Sequence, residues 1–278
     1  MLFRSLARLA PTAELEVEFM DTQRHPPERL FPALARLYGD KYGDAPPDLL
    51  VAADDNALDF LLEYRDAVFG PVPVVFCGIN RLDEGVVGSQ KGYTGVVEDF
   101  DVAGTLRLAL DLHPEARTVA VIGDGTSSGT ANLRRFRTAA RLPKGYTVEE
   151  LVGLPARELG RRLADLPDDA VILHLGYTRS DDGADHTTEE ALDIIRRATD
   201  APVYSCWEFT LGTGVAGGRM TSGVRQGRAA GELAAAVLGG AKPGDLAIVR
   251  ASPNAYIFDA RELERLGIPE SALPEGSE

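Results

Sequence analysis

The chain has 278 residues, with 29 Lys plus Arg against 43 Asp plus Glu and a net charge of -14. That length accommodates one large core or two modest ones, because domains commonly run about 100–200 residues. The negative field repels phosphate backbones and anionic lipid heads, and no basic tract offsets it, which argues against a nucleic-acid partner.

No stretch approaches the roughly 20 apolar residues that span a bilayer. Met1 to Ala10 carries two arginines and some leucines, without the apolar run of a secretory signal. Taken alone, the sequence reads as cytoplasmic or trimmed. Cys77 and Cys206 stand far apart and without metal-ligand spacing, so two small buried thiols are expected, and no disulfide follows from spacing.

Glu14 to Met20 alternates Leu15, Val17 and Phe19 with acids, the pattern of a half-exposed strand. Pro26 and Pro27 open a helix whose expected buried stripe is Leu30, Leu34 and Leu37, ending near Gly39. A short strand at Asp48 to Ala53 leads through Asp54-Asp55-Asn56 into a helix with Leu58, Leu61 and Leu62 on one face. Strand Val72 to Cys77 ends at Gly78. Gly95-Val96-Val97 leads into Glu98-Asp99 and a helix bearing Leu106, Leu108, Ala109 and Leu112.

The rhythm then repeats. Strand Thr118 to Ile122 runs into Gly123 to Gly129 and a basic helix over Ala131 to Arg141. A helix over Pro155 to Leu166 precedes strand Ala170 to Leu175, and a helix over Thr188 to Thr199 precedes strand Pro202 to Cys206. A glycine-rich turn, Gly212 to Gly218, opens onto helix Val224 to Leu238, and the pattern ends with strand Asp245 to Arg250 and helix Ala260 to Leu266. Short apolar strands alternating with helices predict an α/β fold of parallel sheets covered on both faces.

Ligands of such sheets gather beyond the carboxyl ends of the strands. The residues there are polar or aromatic: Asp21-Thr22, Asp54, Asp55, Asn56, Gly78, Asn80, Glu98, Asp124, Thr126, Ser127, Ser128, Tyr177, Trp207 and Glu208. Thr126 to Ser128 at a helix start suit an anion, and equally suit simple capping. One of Asp54 to Asn56 is expected to cap its helix, while the others offer a carboxylate to an ammonium group. Trp207, the only tryptophan, suits a stacking platform or core packing. His174, inside an apolar strand, reads as a core residue. No catalytic triad, metal set or cofactor motif emerges. Gly123-x-Gly125-x-x-x-Gly129 has the wrong final spacing for a dinucleotide loop, leaving a nucleotide-dependent α/β enzyme as the alternative.

Five phrases together resemble one bacterial group: Ala53 to Leu62, Val75 to Asn80, Thr94 to Asp99, Trp207-Glu208-Phe209 with the glycines at 212, 214, 217 and 218, and Pro253 to Asp259. The group is the ABC-transporter substrate-binding-like family with a type I periplasmic-binding fold. It includes tryptophan-binding transport proteins and extracytoplasmic sensor regions of hybrid histidine kinases. The resemblance implies two lobes, residues 1–115 plus 205–238 and residues 116–204 plus 239–278. It places crossings near His113 to Arg117, Tyr204 to Cys206 and Leu238 to Gly244, with a small polar ligand such as an amino acid held in the interlobe cleft by the residues above. It further implies no catalysis or cofactor, a periplasmic or extracellular location, and an ABC permease or histidine kinase as partner. Met1 to Ala10 resembles the tail of a first helix whose preceding strand and loop this sequence lacks, so the expectation is either a truncated chain or a gene that begins late.

Overall fold

A computed structural model describes residues 8–22, 25–80, 82 and 92–278. Most of the expected opening helix tail, residues 1–7, lies outside the described residues. Two compact units share the chain: residues 1–99 with 223–253, and residues 100–222 with 254–278. They part at 99/100, 222/223 and 253/254, whereas the sequence expectation set the boundaries near 115, 204 and 238.

The first shift has a clear cause. Helix α3 (Val102–Leu112), expected in lobe one, packs on the sheet of the second unit. Its buried Leu106 and Ala109 lie in one apolar cluster with Val119, Val171 and Tyr204.

The first unit is built on a parallel sheet of three strands in the order β1 (Leu50–Ala53), β2 (Val74–Ile79) and β3 (Tyr93–Val97). Val74, Val75 and Phe76 are wholly buried because helices cover both faces. On one side lie α1 (Pro27–Tyr42) and α2 (Asp55–Val68), whose Phe31, Tyr38 and Phe60 interlock edge to face. On the other, α7 (Gly223–Leu238) sets Ala230, Ala234 and Val237 against Val75 and Val96.

Three expectations for this unit differ from the structure. Residues 14–20 form no strand. Glu16 and Glu18 are drawn instead to Lys41 and Tyr42 at the end of α1, while Leu15, Val17 and Phe19 stay exposed. Helix α1 continues through Gly39 and buries Phe31 and Tyr38, leaving Leu37 exposed, because aromatics fill the space beside Phe60. The strand expected over 245–250 shrinks to a single bridge, Val249 to Val96, after a 3₁₀ turn at Pro243–Asp245.

The second unit holds six strands in the order β5 (Thr147–Val152), β4 (Thr118–Gly123), β6 (Ala170–His174), β7 (Val203–Ser205), β8 (Gly217–Met220) and β9 (Ala255–Phe258). All pairs are parallel except β8 with β9. Every residue of β4 is buried, as expected of a strand flanked by neighbours and covered on both faces. Helices α4 (Ser127–Ala139), α5 (Ala156–Ala164) and α6 (Thr188–Ala198) follow β4, β5 and β6, and α8 (Ala260–Leu266) follows β9.

Strands β5, β8 and β9 have no counterpart in the sequence reading. In β5 the alternation is broken by Glu149 and Glu150, which pair with Arg162 and Arg137. Strand β8 is glycine-rich because backbone approaches backbone there: a Cβ on Gly218 would collide with the Ser205 carbonyl. Among the described residues no helix is long and apolar enough to cross a membrane.

Candidate functional site

In the second unit the carboxyl ends of β4, β6 and β7 frame a cavity of about 140 Å³. An empty apolar cavity of about 150 Å³ admits benzene, so this one takes a group of side-chain size. Thr126, Ser128 and Gly129 line it from the first turn of α4, and Asn132 from the next. Leu175 to Thr178 line it from the β6 loop, Thr188 from the start of α6, and Trp207, Phe209 and Thr210 from the segment after β7.

Asp124 organises the polar side. It is 2% exposed. One carboxylate oxygen accepts the Thr126 N–H at 3.0 Å and the Thr126 hydroxyl; the other accepts the Thr178 N–H at 2.7 Å and its hydroxyl at 2.8 Å. Burial works against ionisation, but these four hydrogen bonds outweigh it and hold the carboxyl below its ordinary range. A carboxylate offers about four acceptor sites, and all four are occupied. Asp124, which also lines the cavity, therefore braces the helix start against the β6 loop.

The Thr126 hydroxyl is likewise committed, capping α4 through the Gly129 N–H at 3.0 Å. Capping is thus Thr126's role in the fold. Ser128, exposed in the same first turn, offers its hydroxyl and N–H beside the positive end of the helix dipole. The Ser127 side chain lies outside the described residues.

Tyr177 is buried, its hydroxyl donating to the Leu154 carbonyl and its ring stacked on His186 at 4.9 Å. Trp207 combines both readings offered for it. It is half-buried, tilted against Phe100 at 4.7 Å, and lines the cavity. Phe209 beside it is 67% exposed, which leaves an aromatic wall open to a ligand. Glu208 begins a 3₁₀ turn, its N–H donating to the Thr221 carbonyl, and does not line the cavity.

The remaining candidates cluster in the first unit. Asp54 caps α2, accepting the Asp55 N–H at 2.6 Å, and holds φ at 85°, a backbone conformation rare outside glycine. Asp55 accepts the Asn80 N–H at 3.0 Å, and Asn56 donates to the Thr22 hydroxyl at 3.1 Å. Gly78 turns with φ +67°, where a Cβ would come within 3.7 Å of Glu98.

Burial raises the Glu98 carboxyl above its usual range, and the charges of Asp54 and Asp55 push it the same way. Among the described residues no such group is arranged to hold a metal ion.

The Glu98 shift has a testable sign. A carboxyl that holds its proton more tightly when folded loses stability as pH rises from its unfolded value, about 4.3, through its folded one. Glu98→Gln is expected to make the first unit more stable than wild type at pH 7, with the advantage fading towards pH 4. Hydrogen exchange of β2 and β3 amides measures this, and equal protection at both pH values would count against it.

Several cavity residues had escaped the sequence reading. Thr178 lies one residue beyond Tyr177, Asn132 sits inside a helix and Thr188 begins one, where position after a strand gives no signal. Phe209 and Thr210 follow Trp207 in a turn whose shape no periodicity announces.

No protein-family model matches the chain, and no curated protein matches its sequence. Solved structures do. A ligand-free, open substrate-binding protein with adhesive properties from Clostridium difficile aligns with 99% of this chain and 91% of its own, at TM-score 0.67 and 14% identity. The ABC domain in complex with L-Trp from Streptococcus pneumonia aligns over 99% and 94%, at TM-score 0.62 and 19% identity.

The chain has the type I periplasmic-binding fold. A conserved domain protein from Vibrio cholerae shares it over 88% of this chain and 83% of its own, at TM-score 0.59 and 19% identity. In this periplasmic-binding fold the cavity of the second unit lies beyond the carboxyl ends of parallel strands, where open α/β sheets place ligands.

Proposed function

We propose that this protein captures a small polar organic molecule of the amino-acid class, as a receptor for transport or sensing. The cavity of the second unit carries the reading. Its aromatic wall, Trp207 and Phe209, suits an apolar body, and the helix start at Ser128 suits a carboxylate. The fold supports the reading, since two similar structures are described as substrate-binding or L-Trp-bound proteins. We further propose a periplasmic or extracellular location and an ABC permease or a histidine kinase as partner, supported by the family resemblance of the sequence phrases.

The ionised Asp124 spends its oxygens on Thr126 and Thr178 and is not itself free to act as a base, which favours binding over catalysis. The same carboxylate sits in the Gly123 to Gly129 turn, where a dinucleotide would need to place its pyrophosphate. This disfavours the nucleotide-dependent alternative.

A thermal-shift screen of the full chain against the amino acids and small carboxylates tests the reading. A ligand at about 100 times its Kd stabilises by roughly 2.7 kcal/mol, or on the order of 5–10 °C for a unit of this size. Silence across the whole panel would sink the proposal, and a response to dinucleotides alone would transfer it to the enzyme alternative. Trp207→Ala is expected to weaken capture about tenfold while the melt stays cooperative. Loss of the cooperative transition would mark the residue as core instead.

A further inference from the structure

His174 ends β6, 3% exposed, and lines the cavity beside Leu175. Neither ring nitrogen meets a hydrogen-bond partner among the described residues. Its register neighbour on β7 is Ser205, wholly buried, whose hydroxyl is also without a partner among the described residues. Register partners on adjacent parallel strands stand about 4.8 Å apart and project from the same face. Three orphaned polar atoms thus gather at the carboxyl ends of two neighbouring strands, on the face that carries Ile122, Ile172 and Val203.

Buried polar groups are almost always paired, and each unpaired one costs stability. A core histidine kept for packing alone would be better replaced by leucine. Burial drives its ring basicity down to about 4, against a smaller opposing pull from Asp124, so the imidazole is neutral. A neutral imidazole presents one donor and one acceptor, and a serine hydroxyl presents both. Their common complement is a group that both donates and accepts: a hydroxyl or a carboxamide. A carboxylate only accepts and an ammonium only donates.

We propose that His174, which lines the cavity with the buried Ser205 in register beside it, is the specificity-determining residue of the cavity and selects ligands whose apolar body ends in a neutral hydroxyl or carboxamide. This inference rests on the small-ligand reading above.

Calorimetric titration of the full chain with near-isosteric pairs tests it: L-threonine against L-valine, L-glutamine against L-methionine, and L-tyrosine against L-phenylalanine. Wild type is expected to favour the polar member at least tenfold in whichever pair fits. His174→Leu is expected to bring that ratio to about one, with a ligand-free melting midpoint unchanged or higher. Ser205→Ala should narrow the ratio, and His174→Gln, which keeps a donor and an acceptor, should retain most of it.

Equal binding of both members by wild type, or an unaltered ratio in His174→Leu, would overturn the proposal. So would a ligand-free midpoint lowered by more than about 5 °C in His174→Leu, which identifies a structural residue. A ring nitrogen signal of His174 that does not move when ligand is added overturns it independently of folding. The small-ligand reading fails differently, by binding of no pair member at all, and takes the selectivity proposal with it.

Discussion

Asp124→Ala is expected to destabilise the second unit by about 3 kcal/mol and abolish capture. Removing the side chain leaves the Thr126 and Thr178 N–H groups and hydroxyls without acceptors, and hydrogen bonds to a charged group contribute about 1.5–3 kcal/mol each. The four bonds act as a unit, so their losses will not add. Asp124→Asn retains the volume and one acceptor oxygen and should fall between the two.

The depressed carboxyl adds a pH signature. A carboxyl with a lowered folded pKa contributes stability that is present above its unfolded value, near 3.9, and is lost as pH falls through the folded value. Wild type should lose this part below about pH 4, and Asp124→Ala should lack it throughout. Trp207 is the only tryptophan and lies in the second unit, so its emission during urea unfolding reports that unit. An unchanged midpoint in Asp124→Ala would show that the brace has no structural weight.

Gly95→Ala should be at least as damaging, and in the other unit. Gly95 on β3 stands in register with Phe76 on β2, and a Cβ there would overlap both the Phe76 carbonyl and its ring. Phe76 is wholly buried and cannot swing away. Overpacking a core costs about 1–3 kcal/mol, and collision with backbone pushes the figure to the top of that range or beyond. The first unit should lose about 3 kcal/mol or more.

Gly39→Ala is the matched control. It sits in α1 with open space where its Cβ would go, so alanine should add up to about 1 kcal/mol. Amide exchange in β2 and β3 reads both variants. If Gly95→Ala and Gly39→Ala proved equally harmless, the close approach of β2 and β3 would be wrong.

The α/β class was legible because apolar strands such as Val119 to Ile122 and Val171 to Leu173 carry their burial in composition alone. Element edges were less so. Strand β5 hid behind two glutamates that its flanking arginines neutralise, and β8 hid behind glycines demanded by the Ser205 carbonyl. Residues 14–20 showed the opposite failure. Perfect alternation did not make a strand, because alternation states which face a segment buries and not what it pairs with.

The site was half legible for a similar reason. Position after a strand singled out Asp124, Thr126, Tyr177 and Trp207, all of which border or brace the cavity. His174 looked like core, since nothing in an apolar run reveals that a buried ring lacks a partner.

Neither unit is a continuous stretch of chain: residues 223–253 complete the first, and residues 254–278 complete the second. The ribosome must therefore pass α7 before the first half can close its core, and pass β9 before the second can. Until then β2, β3 and the edge of β8 wait with their apolar faces bare. A stop before Gly223 would strip α7 from the first unit and β9 from the second, so nascent chains of this topology stay open to chaperones until those segments emerge.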